Sequence, residues 1–119
     1  MEKHLLGRQG ELIASTYLLK NGYSILERNW RFGREEIDII AKKDGFIVFI
    51  EVKTRVSSYL EDPVLAVTEG KRKIIIRTAN EYILSKDLEN ESRFDIIGII
   101  HNNKETRIDH VEDAFFPTT

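Results

Sequence analysis

Between positions 3 and 21 apolar residues return at intervals of three and four: Leu6, Ile13 and Tyr17, with Ala14 and Leu18 beside them and Gly10 in step. That period places them on one helical face, and Asn21-Gly22 supplies a stop. From Tyr23 the pattern changes. Residues 23–31, YSILERNWR, read as a strand broken at Phe32-Gly33. The stretch EEIDIIAKKDGFIVFIEVKTR holds Asp44-Gly45, a strong hairpin signal, and reads as two strands around a turn. Residues 56–67 carry Ser57-Ser58 and Asp62-Pro63 and read as a loop. A second helix is expected from an N-cap at Thr68 to about Ser85, with Ile75, Ala79, Tyr82 and Ile83 turned inward. RFDIIGIIH is a fourth strand ended by Asn102-Asn103, and a short strand is expected from Thr106.

The order helix, three strands, helix, strand describes an α/β sheet with helices packed on it. The chain has 119 residues and shows no repeat, low-complexity stretch or linker, so one domain spanning 1–119 is expected. It has no cysteine, which excludes disulfides, zinc-thiolate sites, iron–sulfur clusters and cysteine nucleophiles. No apolar run reaches signal-peptide or membrane-spanning length, so no membrane association and a cytoplasmic location are expected. The net charge of −2 makes no case for a strong non-specific DNA binder, but the charges are uneven. Residues 20–55 hold eight Lys/Arg against six acids, and residues 83–119 hold four against eight, which leaves room for a phosphate-facing side.

The most apolar run ends in charge: FIVFIEVKTR places Glu51 and Lys53 at the close of a strand. With a two-residue loop at Asp44-Gly45, Lys43 opposes Phe46; counting back, Asp38 opposes Glu51 and Glu36 opposes Lys53. Opposed residues hold their Cβ atoms about 5 Å apart, and two carboxylates at that distance repel by about 3 kcal/mol at an effective dielectric near 20. A shared proton, a neighbouring Arg or Lys, or a divalent cation would offset the repulsion, and Mg²⁺ or Mn²⁺ prefers such hard oxygen donors.

An acid, twelve residues, then Glu-x-Lys on adjacent strands resembles the signature of the PD-(D/E)xK nuclease superfamily, with Asp38, Glu51 and Lys53 at its positions and Ile37 where the signature has Pro. A longer series, GRQGELIASTYLLKNGYSILERNWR, EIDIIAKKDGFIVFIEVKTR, VTEGKRKIIIRTANEYI, RFDIIGI and HVEDAF, resembles the YraN family from end to end. That is a bacterial family of small, poorly characterised proteins similar to archaeal Holliday-junction resolvases. Glu35 and Asp113 depart from it, standing where the family usually has Gly and Asn.

The resemblance implies a restriction-endonuclease-like core, a central mixed sheet flanked by helices in the order αβββαβ. It implies a Mg²⁺- or Mn²⁺-dependent endonuclease acting on DNA, branched or junction DNA included, and a homodimer if the resolvase analogy holds. Asp38 and Glu51 would hold the metal, with the Val52 carbonyl and the helical Glu11 as further ligands. Lys53 would position or deprotonate the attacking water, with Glu36 across the hairpin holding it in place; the plainer alternative is a simple Glu36–Lys53 ion pair. Lys71, Arg72, Lys73 and Arg77 crowd the start of the second helix against its macrodipole, and Lys71 and Arg55 are the chosen phosphate contacts. Asp95 reads as structural, Trp30 and Phe32 as core, and His4, His101 and His110 form no ligand spacing. The competing reading is a non-catalytic nucleic-acid-binding or protein-interaction module on the same fold.

Overall fold

Asp44 and Gly45 both take left-handed backbone, with φ of 50° and 86°. A tight two-residue reversal needs that hand, and glycine adopts it without a Cβ clash. The turn sets Lys43 opposite Phe46 and Ile39 opposite Ile50, the register anticipated from the loop length. The computed structural model describes residues 3–57 and 62–117. In chain order they form α1 (Lys3–Lys20), β1 (Ser24–Phe32), β2 (Glu35–Lys43), β3 (Phe46–Arg55), α2 (Pro63–Ala66), α3 (Glu69–Ser85), β4 (Ser92–His101) and β5 (Thr106–Phe115).

The five strands lie in sequence order in one mixed sheet. β3 and β4 run parallel and the other neighbours antiparallel. Parallel strands need a crossover, and α2 and α3 provide it. Thr68 caps α3, its side chain accepting the Lys71 N–H at 3.2 Å. Two features differ from the sequence expectation. The segment expected as a loop contains the short α2, although positions 58–61 lie outside the described residues. The last strand runs for ten residues, because pairing to β4 stabilises a segment whose own pattern is largely polar.

Each sheet face carries its own core. Ile37, Ile40, Ile47, Phe49, Phe94 and Ile96 meet Ile75, Ala79 and Tyr82 of α3. Ile39, Ala41, Val48, Ile50, Ile97 and Ile99 meet Ala14 and Leu18 of α1. Each large apolar side chain buried this way contributes about 1.5–3 kcal/mol. Trp30 packs into the α3-side core edge-on to Tyr82, ring centroids 5.1 Å apart, as expected of a core residue. Phe32 stacks on Trp30 but is exposed. No helix among the described residues is long and apolar enough to cross a membrane.

α1 lies close enough to β3 that a Cβ at Gly10 would stand 2.9 Å from the Thr54 Cβ and overlap its Oγ1, whereas one at Gly7 would meet nothing within 4 Å. Both glycines invite the expectation of close approach; only Gly10 fulfils it. Gly10→Ala is therefore expected to destabilise the fold by about 1–3 kcal/mol through overpacking, read from the urea midpoint. Gly7→Ala is expected to be neutral or to stabilise by up to about 1 kcal/mol through helix propensity. Equal midpoints for the two variants would contradict this docking of α1.

Candidate active site

The β2–β3 ladder ends at Ile39–Ile50, one step before the two acids. The inward and outward alternation of β2 slips at the same place, since Ile37 and Ile40 enter one core while Ile39 and Ala41 enter the other. Asn29, which falls between the pairs Arg28–Ile39 and Trp30–Ile37 and so stands opposite Asp38, has φ 51°. The slip leaves Asp38 between the strands rather than on a regular face. Its Oδ2 accepts the Val52 N–H at 2.8 Å, replacing a ladder bond with a side chain.

In this gap the Asp38 carboxyl also stands against that of Glu51, close enough for the two to interact. Glu51 is 6% exposed. Burial first, and then the charge of Glu51, pushes the Asp38 carboxyl up to about 8 despite the Val52 bond. At neutral pH the pair therefore keeps a proton. Lys53 Nζ lies 3.7 Å from Glu51 Oε2 on the strand's next same-side position, half-buried.

The ladder's early end also overturns the expected Glu36–Lys53 contact. Glu36 Oε2 pairs with Arg31 at 2.8 Å, and its Oε1 accepts from Asn29 Nδ2 at 3.1 Å. Lys53 turns to Glu51 instead. The facing rule applies only where strands stay paired, and here they have parted. Asn29 was missed by sequence reasoning. Its amide also donates to Glu11 Oε1 at 2.8 Å, so one side chain spans the helical acid and the hairpin acid. Only an Asn inside a strand pattern hinted at it, as Asn tolerates left-handed backbone.

Glu11 stands over this region on α1. Burial raises its carboxyl, the Asn29 bond lowers it, and the charges of Asp38 and Glu36 raise it further, leaving it above its ordinary value. Asp38, Glu51 and Glu11 thus share one neighbourhood, but only the first two touch. Among the described residues no set of three acids or histidines is gathered closely enough to hold an ion as the side chains stand. The donors are nonetheless all hard carboxylate oxygens carrying excess negative charge, which fits a divalent cation. Arg55 closes β3 opposite Ile100 and is half-buried. Lys71 is half-buried in the first turn of α3, whose buried face packs the opposite side of the sheet from α1. No described contact joins Lys71 to the acid pair.

A second buried carboxylate offers a comparison. Asp95 is fully buried and accepts from Arg93 Nε at 2.9 Å, Arg93 Nη2 at 2.8 Å and the Asp113 N–H at 3.0 Å, with His110 Nε2 at 2.7 Å. Burial would raise it, but the bonds to His110, Arg93 and Asp113 win and hold it below its ordinary value. His110 in turn meets the Tyr17 hydroxyl through Nδ1 at 2.8 Å. Asp95 is structural, as expected, while His110 belongs to this network, which its lack of ligand spacing did not reveal.

The model of the uncharacterised protein family UPF0102 matches residues 10–99. The chain is 46% identical over 115 residues to a UPF0102 protein of Flavobacterium psychrophilum, covering 97% of each. It is 46% identical over 117 residues to one of Chlorobium chlorochromatii, covering 93% of this chain and 91% of the relative. Among solved structures it is similar to Pyrococcus furiosus SfsA in complex with Ca²⁺, with a TM-score of 0.38, 17% identity, and 94% of this chain and 64% of that chain covered.

The raised Asp38 pKa has a sign that stability can test. Its folded-state value of about 8 lies above the ordinary 3.8, so the folded protein binds more protons between those limits. Its stabilising contribution is present at low pH and is lost as pH rises toward 8. In chelator, the thermal midpoint is expected to fall across that window. Asp38→Asn should flatten the fall and raise the midpoint at pH 8 by about 5 °C. An unchanged pH profile in Asp38→Asn would show that Asp38 does not titrate in that window.

Proposed function

The chain belongs to the uncharacterised protein family UPF0102, and on that premise we propose that it is a Mg²⁺- or Mn²⁺-dependent endonuclease of the PD-(D/E)xK kind that hydrolyses DNA phosphodiester bonds, at branched or junction sites among others. The observation that carries the reading is the contrast between two buried acids. Asp95 is fully partnered and held low, whereas Asp38 is set against Glu51 and raised to about 8. A fold that can satisfy one carboxylate so fully leaves the other pair for an external charge.

Asp38 and Glu51 would hold the cation, with Glu11 joining from α1 and the Val52 carbonyl as a further donor. When bound, it supplies Lewis acidity to a phosphoryl oxygen and offsets charge building on the phosphorus. Lys53, on the Glu51 side of the pair, would position the attacking water, or deprotonate it once its own ammonium had lost a proton; Asp38 would have to release its proton for the cation to be held. Arg55 and Lys71 contact the DNA backbone. Cutting both strands takes two such sites, so the reading includes a homodimer. A non-catalytic nucleic-acid-binding or protein-interaction module is the second reading, favoured by the separation of Glu11 from the acid pair and by the net charge of −2.

Calorimetric titration is expected to give Mn²⁺ binding that strengthens as pH rises toward 8, weakened at least about tenfold in Glu51→Gln. Incubation with branched, single-stranded and duplex DNA should give Mn²⁺-dependent cleavage that Asp38→Ala and Lys53→Ala both abolish. DNA binding without cutting by all three proteins would favour the second reading.

A further inference from the structure

On the α1 side of the acid pair a cleft of about 390 Å³ opens between the helix and strands β1 and β2. That volume lies in the lower part of the range for small-ligand sites, too small for a duplex and suited to one nucleotide. Its walls divide by chemistry. Leu12 and Ile39 are apolar, and Leu12 is 59% exposed. Arg8 from α1 and Arg28 from β1 bring exposed guanidinium groups to the same cleft. Asn29 adds an amide already fixed by Glu11 and Glu36. Ser15 lines it at 2% exposure, and its Oγ has no hydrogen-bond partner. A buried hydroxyl left unpaired is destabilising, and a polar atom of an occupant would supply what it lacks.

We propose that this cleft receives one unstacked nucleotide of the substrate strand, its phosphate held by Arg8 and Arg28 and its base laid against Leu12 and Ile39. Planar guanidinium groups match phosphate through paired N–H donors, and an apolar wall accepts the face of any base. Asp38 lines the cleft and also belongs to the acid pair, so a nucleotide seated here adjoins the bond to be cut. The substrate class is then DNA with an unpaired or readily flipped nucleotide at the cleavage point. Paired DNA would first have to break stacking, a cost that is least at an interrupted duplex. The inference deepens the nuclease reading and rests on it.

Binding of short duplexes in Ca²⁺ tests it, using one fully paired and one carrying a single-nucleotide bulge of 2-aminopurine. The intact protein is expected to bind the bulged duplex about tenfold more tightly and to change the fluorescence of the extruded base. The Arg8→Ala/Arg28→Ala double variant should lose that preference, and its log–log salt slope should fall by about one to two. Leu12→Ala, at an exposed position, should diminish the fluorescence change while leaving the thermal midpoint in place. Equal binding of the two duplexes, no binding at all, or a preference that survives in a folded double variant would overturn the assignment. Cleavage in Mn²⁺ is scored separately. Selection of the bulge without cutting keeps the cleft and rejects the nuclease, and equal cutting of both duplexes does the reverse.

Discussion

The parting of β2 from β3 after Ile39–Ile50 is the constraint from which the site follows. Had pairing continued, Asp38 would project from one sheet face and Val52 would find its hydrogen-bond partner on the backbone. The carboxylate takes that partner's place and is drawn in toward Glu51. Burial denies both carboxyls the water that would stabilise their charges, so the pair keeps a proton rather than ionise twice. β1 adapts to the same irregularity, with Asn29 in left-handed backbone tying Glu11 and Glu36 to its amide.

The two layers divide the labour. α1 approaches β3 at Gly10 and presents Glu11, Leu12 and Arg8 above the acid pair. α3 covers the other face with an apolar stripe and forms the crossover that permits β3 and β4 to run parallel. Glu51 and Lys53 therefore stand on an interior strand, held there by β4 where β2 has parted from it. Such a support holds side chains in place better than an edge or a loop would. The family's membership, 46% identity over nearly the full chain to a Flavobacterium relative, speaks for a shared architecture and leaves the chemistry to be argued from these residues.

Local patterning was legible. Helical spacing marked α1, Thr68 marked the start of α3, and Asp44-Gly45 predicted the hairpin register as far as the ladder extends. Beyond Ile39 the same counting failed, because it assumes that paired strands remain paired; Glu36 went to Arg31 and Asn29 instead. β5 appeared only as a short strand, since its polar sequence is held by β4 rather than by its own preference. The Asp95 network was invisible for a related reason. Tyr17 and His110 lie 93 positions apart, and no spacing rule connects them to each other or to Asp95.

That network also ties distant parts of the chain together. Asp95 gains two of its partners, the His110 ring and the Asp113 N–H, from β5. The same His110 ring meets the Tyr17 hydroxyl of α1. One imidazole thus clasps the first helix, the buried carboxylate and β5, and a change that frees β5 would strip Asp95 of two partners and Tyr17 of its own at a stroke.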